Sequence, residues 1–311
     1  MRTAFINSLI ECSRENKNIW LLTADLGFSV LEKFREEFPD RFINVGVAEQ
    51  NMIGVAAGLA LSGKKVFVYS IANFPTLRCL EQIRNDICYH NLDVTVVAVG
   101  GGMSYGSLGF THHGLEDLAI LRTLPNITVS APGDPLETQI ITTLFCNSKG
   151  PSYLRLGKVG EKIVHKDLKQ LKSGDAIQLV KGTGTAIIST GSVLDLADEI
   201  RQMAEDSGIR PSLFSFPFLK PFDRDCATNV IRNHSHVITI EEHKSGGLGT
   251  IFAEFMAESR NNTRLSAFKI QDNPPGYVGS QQFLRNNLGL NKGDILQCLV
   301  ENHNSIISAD N

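Results

Sequence analysis

FINVGVAEQNMIGVAAGLALS, residues 42–62, decides how this 311-residue chain is read. Its opening residues predict a short strand over 42–45, a Gly turn, and a helix from about Val47. Past Asn51 that helix is almost wholly apolar: Met52, Ile53, Val55, Ala56, Ala57, Leu59, Ala60 and Leu61. A helix apolar all round is expected to be buried on every side. Gly54 and Gly58 each lower helix propensity by about 1 kcal/mol relative to Ala. Four apart, they share a face and permit close backbone approach. Glu49 is a lone carboxylate in the first turn. It reads either as a partner of the helix dipole or as a buried carboxyl of raised pKa, placed to exchange a proton with a ligand.

Outward from this unit the pattern alternates. Before it, helix 2–14, strand 18–25 and helix 30–38 are predicted, the last stopped by Pro39. After it come strand 65–69, helix 75–90, the β-branched strand 94–99, a Gly-rich loop at 100–109, helix 115–123, strand 127–130, helix 135–146 and a final strand, 152–156. Strands alternating with helices imply a mostly parallel sheet covered on both faces. GKVGEKIVHKDLKQLKSG (157–174) is polar and Lys-rich. A second alternating unit follows: strands 185–190, 212–216 and 236–241, with helices 194–207, 225–233 and 249–258. The expected fold is α/β, divided into a first domain 1–157, a linker 158–180, a smaller domain 181–302 and a polar tail 303–311.

Composition narrows the function. Hydrophobic residues make up 42% and charged residues 20%, with a net charge of −3. No basic excess calls for nucleic acid or anionic lipid. No run approaches the ~18 apolar residues of a membrane span, and the N-terminus lacks a signal peptide's apolar core. Cys12, Cys79, Cys88, Cys146, Cys226 and Cys298 are scattered with no CxxC pair, which fits free thiols in a reducing cytoplasm. P-loop, dinucleotide, nucleophile-elbow and HExxH motifs are absent.

NVGVAEQNMIGVAAGLAL (44–61) resembles the segment of transketolase-family, thiamine-diphosphate enzymes whose glutamate meets the cofactor's aminopyrimidine. The likeness continues in order through SIANF, RCLEQIRND, GFTHHGLEDLAILRTLPN, SAPGDP and ITIEEHKSGGLG. It implies a pyrimidine-binding domain followed by a transketolase C-terminal-like domain. The family's GDG motif with its downstream Asn, which holds Mg²⁺ and the diphosphate, is missing. The GD pairs at Gly133, Gly174 and Gly293 are followed by Pro, Ala and Ile. The resemblance therefore implies the C-terminal subunit of a split transketolase-like enzyme. Thiamine diphosphate would have its pyrimidine end on this chain. Mg²⁺ and the diphosphate would lie on a separate N-terminal subunit carrying GDG, in a two-plus-two heterotetramer. The reaction implied is transfer of a two-carbon ketol unit from a ketose to an aldehyde.

The same resemblance assigns residues. Glu49 would hydrogen-bond the pyrimidine nitrogen and make the cofactor its own base. Phe74 would pack on the pyrimidine face, and Ile71 stands where a second aromatic is common. His112 would touch the substrate oxygen at the reacting carbon, while His113 would pack or cap. Gly100 and Leu108 replace a histidine and an aspartate of enzymes that use sugar phosphates. That substitution implies an apolar mouth and an unusual donor or acceptor, such as a deoxy- or nucleotide-linked sugar. Arg155 and Lys158, in YLRLGK, would meet a substrate dianion or else carry surface charge. Arg78 matches a family arginine, and EEHKSGGLG (241–249) reads as structural or interfacial. No metal ligand is expected on this chain. Three alternatives remain open: a 2-oxo-acid dehydrogenase E1 β-like subunit, a deoxyxylulose-phosphate-synthase-like subunit, and a non-catalytic scaffold.

Overall fold

The computed structural model describes residues 1–158, 160–272 and 276–309, with side chains as far as His303. Its first part runs α1 (Arg2–Glu15), β1 (Ile19–Thr23), α2 (Glu32–Glu37), β2 (Phe42–Asn44), α3 (Glu49–Leu61), β3 (Lys65–Ile71), α4 (Asn73–Thr76), α5 (Leu80–Gln82), β4 (Val94–Val99), α6 (Asp117–Arg122), β5 (Thr128–Ser130), α7 (Pro135–Asn147) and β6 (Ser152–Leu156). Its second part runs β7 (Ile177–Val180), β8 (Thr185–Thr190), α8 (Leu194–Asp206), β9 (Ser212–Ser215), β10 (Phe218–Lys220), α9 (Arg224–Asn233), β11 (His236–Glu241), α10 (Leu248–Glu258), β12 (Arg264–Phe268), α11 (Gln281–Asn287) and α12 (Lys292–Ala309).

Two mostly parallel sheets result, flanked by helices, as the alternation predicts. The first has seven strands in the order β10-β5-β6-β4-β3-β1-β2, and the second five in the order β12-β11-β8-β9-β7. Within the first sheet Val68 pairs with Leu22 on one side and Val96 on the other, and Val96 pairs with Tyr153. β3, β4 and β6 are mostly apolar and buried along their whole length. Because they are parallel, the ends of β1, β2, β3, β4 and β6 all open on one edge, where α/β sheets build sites.

Several expectations need correction. Strand 152–156 does not close the first sheet: β10 returns from the second part and pairs antiparallel with β5. The stretch expected as linker ends in β7, which pairs antiparallel with β9 at the edge of the second sheet. Residues from 303, expected as a tail, continue α12 to Ala309. The single helix expected over 75–90 is broken into α4, α5 and a wider, π-helical turn at Ile83–Cys88.

The largest correction concerns α3. Met52, Ile53, Ala56 and Ala57 pack with Leu22, Val66, Val68, Val94 and Val96 in one core. The opposite face is open. Gln50, Asn51, Gly54, Gly58 and Leu61 are exposed, and a Cβ added at Gly54 or Gly58 would meet nothing within 4 Å. The helix covers the sheet on one side only, so its outer face, lined by glycines and Leu61, has no partner among the described residues.

Candidate active site

Glu49 is the first residue of α3 and is 3% exposed. The dihedrals of Ala48 are not helical and no side chain caps the helix, so the Glu49 carboxyl sits beside free amide groups, where negative charge is favoured. Its Oε2 accepts from Arg78 Nη1 at 2.7 Å; among the described residues Oε1 accepts no hydrogen bond. Gln50 Nε2 donates to Arg78 O at 3.0 Å, which ties the start of α3 to the α4–α5 turn.

A continuous ladder of rings and cations leads away from this carboxyl. The Arg78 guanidinium lies 4.7 Å from the centre of the half-buried Phe74 ring. Phe74 meets His112 edge-on at 5.4 Å, and His112 meets Tyr105 edge-on at 6.4 Å. Lys158 Nζ stands 4.8 Å from the centre of the Tyr105 ring. His112 Nδ1 shares a 3.0 Å hydrogen bond with Thr111 Oγ1, and Asn73 Nδ2 holds Thr111 O at 3.2 Å. Residues from the ends of β2, β3, β4 and β6 thus meet on one shelf.

The ladder brings together Glu49, Phe74, His112 and Lys158 from the residues singled out in the sequence. Ile71 ends β3 and is buried, three residues before Phe74. Gly100 adopts φ +79°, and a Cβ there would fall 2.1 Å from Tyr105 Cε2. The Tyr105 ring therefore fills the space that a side chain at Gly100 would need. Leu108 is 53% exposed and points its apolar surface outward with Phe110. His113 is buried, and burial lowers its basicity.

Arg155 is the exception, and its expected exposure on the surface or toward a substrate is corrected. It is 4% exposed, with Nε 3.0 Å from Asp117 Oδ2. Its Nη2 donates to Gly114 O at 2.5 Å and to Glu242 O at 3.0 Å. Buried beside Asp117 with Nη2 spent on two carbonyls, this guanidinium stands in the core and not on the surface. Asp117 also takes Tyr153 Oη at 2.5 Å.

Two features escaped the sequence reading. Tyr105 carries no motif signal beyond its place in the Gly-rich loop. Asp25 is exposed at the carboxyl end of β1 with φ +54°, a strained conformation for a residue with a Cβ. Asn44 Oδ1 accepts from Asp25 N at 2.9 Å and from Gly46 N at 3.0 Å, clasping the two loops before Glu49. A cavity of about 280 Å³ opens here, lined by Asp25, Phe28 and Asn44 among others. A polar residue closing a buried strand was the available signal.

The donor set suits the aminopyrimidine end of thiamine diphosphate: a buried carboxyl with one unengaged oxygen, a half-buried aromatic face and a nearby imidazole.

Comparison with known proteins identifies the family. Residues 1–159 match the family model of the transketolase pyrimidine-binding domain, and residues 174–295 match that of the transketolase C-terminal domain. The chain belongs to the transketolase family. It is 36% identical to one of the subunits of an apulose-4-phosphate transketolase from Phocaeicola vulgatus, across 83% of this chain and 84% of that one. It is also 36% identical to a putative transketolase C-terminal section of Methanocaldococcus jannaschii, across 88% and 86%. A solved split-gene transketolase, described as an inactive beta4 tetramer, superposes with a TM-score of 0.86 at 34% identity, covering 96% of each chain.

Proposed function

We propose that this chain is the pyrimidine-binding subunit of a two-chain transketolase that moves a two-carbon ketol unit from a ketose to an aldehyde. The observation that carries the reading is the ladder from Glu49 through Arg78, Phe74 and His112 to Tyr105 and Lys158. When bound, thiamine diphosphate supplies the carbon that carries the two-carbon unit between substrates. Glu49 Oε1 accepts from, or protonates, the pyrimidine nitrogen, and burial strengthens that bond. Phe74 and Ile71 exclude water from the ring's face. His112, held by Thr111, donates to substrate oxygens and takes their protons. Lys158, the one cation of YLRLGK left on the rim, meets an anionic substrate end. Gly100 and Leu108 shape the mouth around Tyr105.

The partner subunit supplies the diphosphate and Mg²⁺ contacts through GDG. The outer face of α3, which ends in Leu61 at 70% exposure and is preceded by Val47 at 77%, supports assembly with other chains into a two-plus-two complex. Six free cysteines support a reducing, cytoplasmic setting. Among the described residues no helix is long and apolar enough to cross a membrane.

Reconstitution tests the reading. The wild-type chain, a GDG-bearing partner, thiamine diphosphate and Mg²⁺ should transfer a ketol unit; neither chain alone should. Full turnover by this polypeptide without a second protein would end the proposal, as would unchanged turnover with Glu49→Gln.

A further inference from the structure

His112 sits near one end of a loop, residues 102–114, whose neck is closed by two reciprocal bonds. Gly102 N donates to Gly114 O at 2.7 Å, and Gly114 N donates to Gly102 O at 2.8 Å. Between these glycines few side chains are buried: Ser107, Leu108, Phe110 and Thr111 are exposed, and Tyr105 and His112 half-buried. Met103 anchors the loop's start in the core of the second part and Tyr105 packs on that of the first, while the stretch 107–111 that leads to His112 is largely exposed and takes its path from the neck.

The neck is gripped from the second part of the chain. Glu242 is 1% exposed. Its Oε1 accepts from Met103 N at 2.7 Å, and its Oε2 accepts from Arg285 Nε at 2.9 Å and Gln281 Nε2 at 2.9 Å. Gly102 adopts φ +69°, and a Cβ there would fall 2.5 Å from Glu242 Cδ. On the other strand of the neck Arg155 Nη2 joins Gly114 O to Glu242 O. Gln281 also reaches Ser104 Oγ at 3.2 Å inside the loop.

Buried ion pairs add little stability over apolar packing of the same volume, but they fix orientation and registry. We propose that Glu242 is a positioning residue for His112: with Arg155 and Arg285 it locks the neck of the 102–114 loop from the second domain. The chemistry it would serve rests on the reading of His112 given above; the mechanical claim does not.

Amide hydrogen exchange on the full chain tests the mechanical claim. Glu242→Gln keeps the side chain's shape and removes the charge that holds Arg285. Amides of residues 102, 103 and 114 should exchange ~10-fold faster, while amides in the buried face of α3 keep their rates, because local opening is separable from global unfolding. Arg122→Ala breaks the other-side pair with Glu254, 2.9 Å apart, and should leave the neck unchanged. If Glu242→Gln does not fold, Gln281→Ala removes one partner and should accelerate the same amides more weakly. In the reconstituted complex Glu242→Gln should raise the substrate KM by ~10-fold and leave the cofactor KM in place, the split expected when only positioning is lost. Unchanged exchange at the neck, or acceleration spread evenly over the chain, overturns the proposal. Absence of ketol transfer in the wild-type complex would defeat the functional reading while the exchange result still decides the positioning one.

Discussion

Arg78 and Glu49 form a 2.7 Å ion pair that spans the boundary of burial, with the carboxylate 3% and the guanidinium 48% exposed. The cation also covers the Phe74 ring, so the wet partner guards the dry one. Glu49→Gln keeps the size and loses the ionisable proton. Acid–base groups contribute about 10²–10⁴-fold, so kcat of the complex should fall by that order. Assembly, read by sizing chromatography, should be unaffected. A kcat within about 10-fold of wild type would remove Glu49 from the chemistry.

Gly100 and Tyr105 compete for one volume. Gly100→Ala adds both backbone strain at φ +79° and a Cβ 2.1 Å from the ring, a combination worth about 1–3 kcal/mol. Tyr105→Ala should relieve the ring contact and leave the strain. Denaturant unfolding of both single variants and the double variant measures the coupling. Additive losses would show that the ring yields freely.

The two basic residues of YLRLGK should separate cleanly. Truncating Arg155 to Met strands Asp117 in the core, and breaking a buried pair costs about 3–5 kcal/mol. Lys158→Gln, at an exposed site, should change stability by no more than about 0.5 kcal/mol. Its effect should be confined to KM for anionic sugars. Equal destabilisation by both substitutions would contradict this division.

A buried His–carboxylate cluster sets a pH dependence away from the site. His165 Nδ1 lies 3.0 Å from Asp134 Oδ2, and Nε2 lies 3.3 Å from Glu137 Oε1. Burial lifts Glu137 from 4.5 to about 7. Burial opposes protonation of His165, but the Asp134 hydrogen bond and the Glu137 charge outweigh it and raise its pKa. Both groups hold their proton more tightly when folded. Their contribution is therefore full at low pH and is lost as pH rises through the folded-state values. Asp134, held down at about 2 by hydrogen bonds that outweigh burial, keeps its contribution throughout that range. Buried His236 and His243, held down at about 4, add an opposite slope common to both proteins. The test is therefore the difference: the Tm advantage of wild type over Glu137→Gln should shrink as pH rises from about 5 to about 7. An identical slope in the variant would rule the cluster out as a source of pH dependence.

The outer face of α3 offers an assembly test. Gly54→Ala and Gly58→Ala meet no atom within 4 Å in this chain. Each should stabilise the isolated chain by up to about 1 kcal/mol through helix propensity. Gly58→Phe should fold alike and fail to assemble with its partner. Normal assembly of Gly58→Phe, seen by light scattering, would place the interface elsewhere.

The parts legible in the sequence are those with local causes. The strand–turn–helix around Glu49 follows from a short apolar run, a Gly and an acidic first turn, all within twenty residues. Two mostly parallel sheets follow from alternation; their antiparallel edge strands β7 and β10 do not. Arg155 was misread because strand position says nothing of its partners, which lie 41 and 87 residues away. The open face of α3 was missed for a related reason: apolar composition reports that a helix will be covered, not which chain covers it. β10 is three residues long and has no periodicity to find. Tyr105 declared itself only through the missing side chain at Gly100, which is a relation in space.

That short strand β10 has a bearing on any attempt to divide the polypeptide. Severed between the two sheets, the N-terminal piece would carry β5 as a bare rim, with unpaired amides and carbonyls inviting strangers. Fragments made this way should clump rather than reunite, and the smallest portion able to live alone should be the whole.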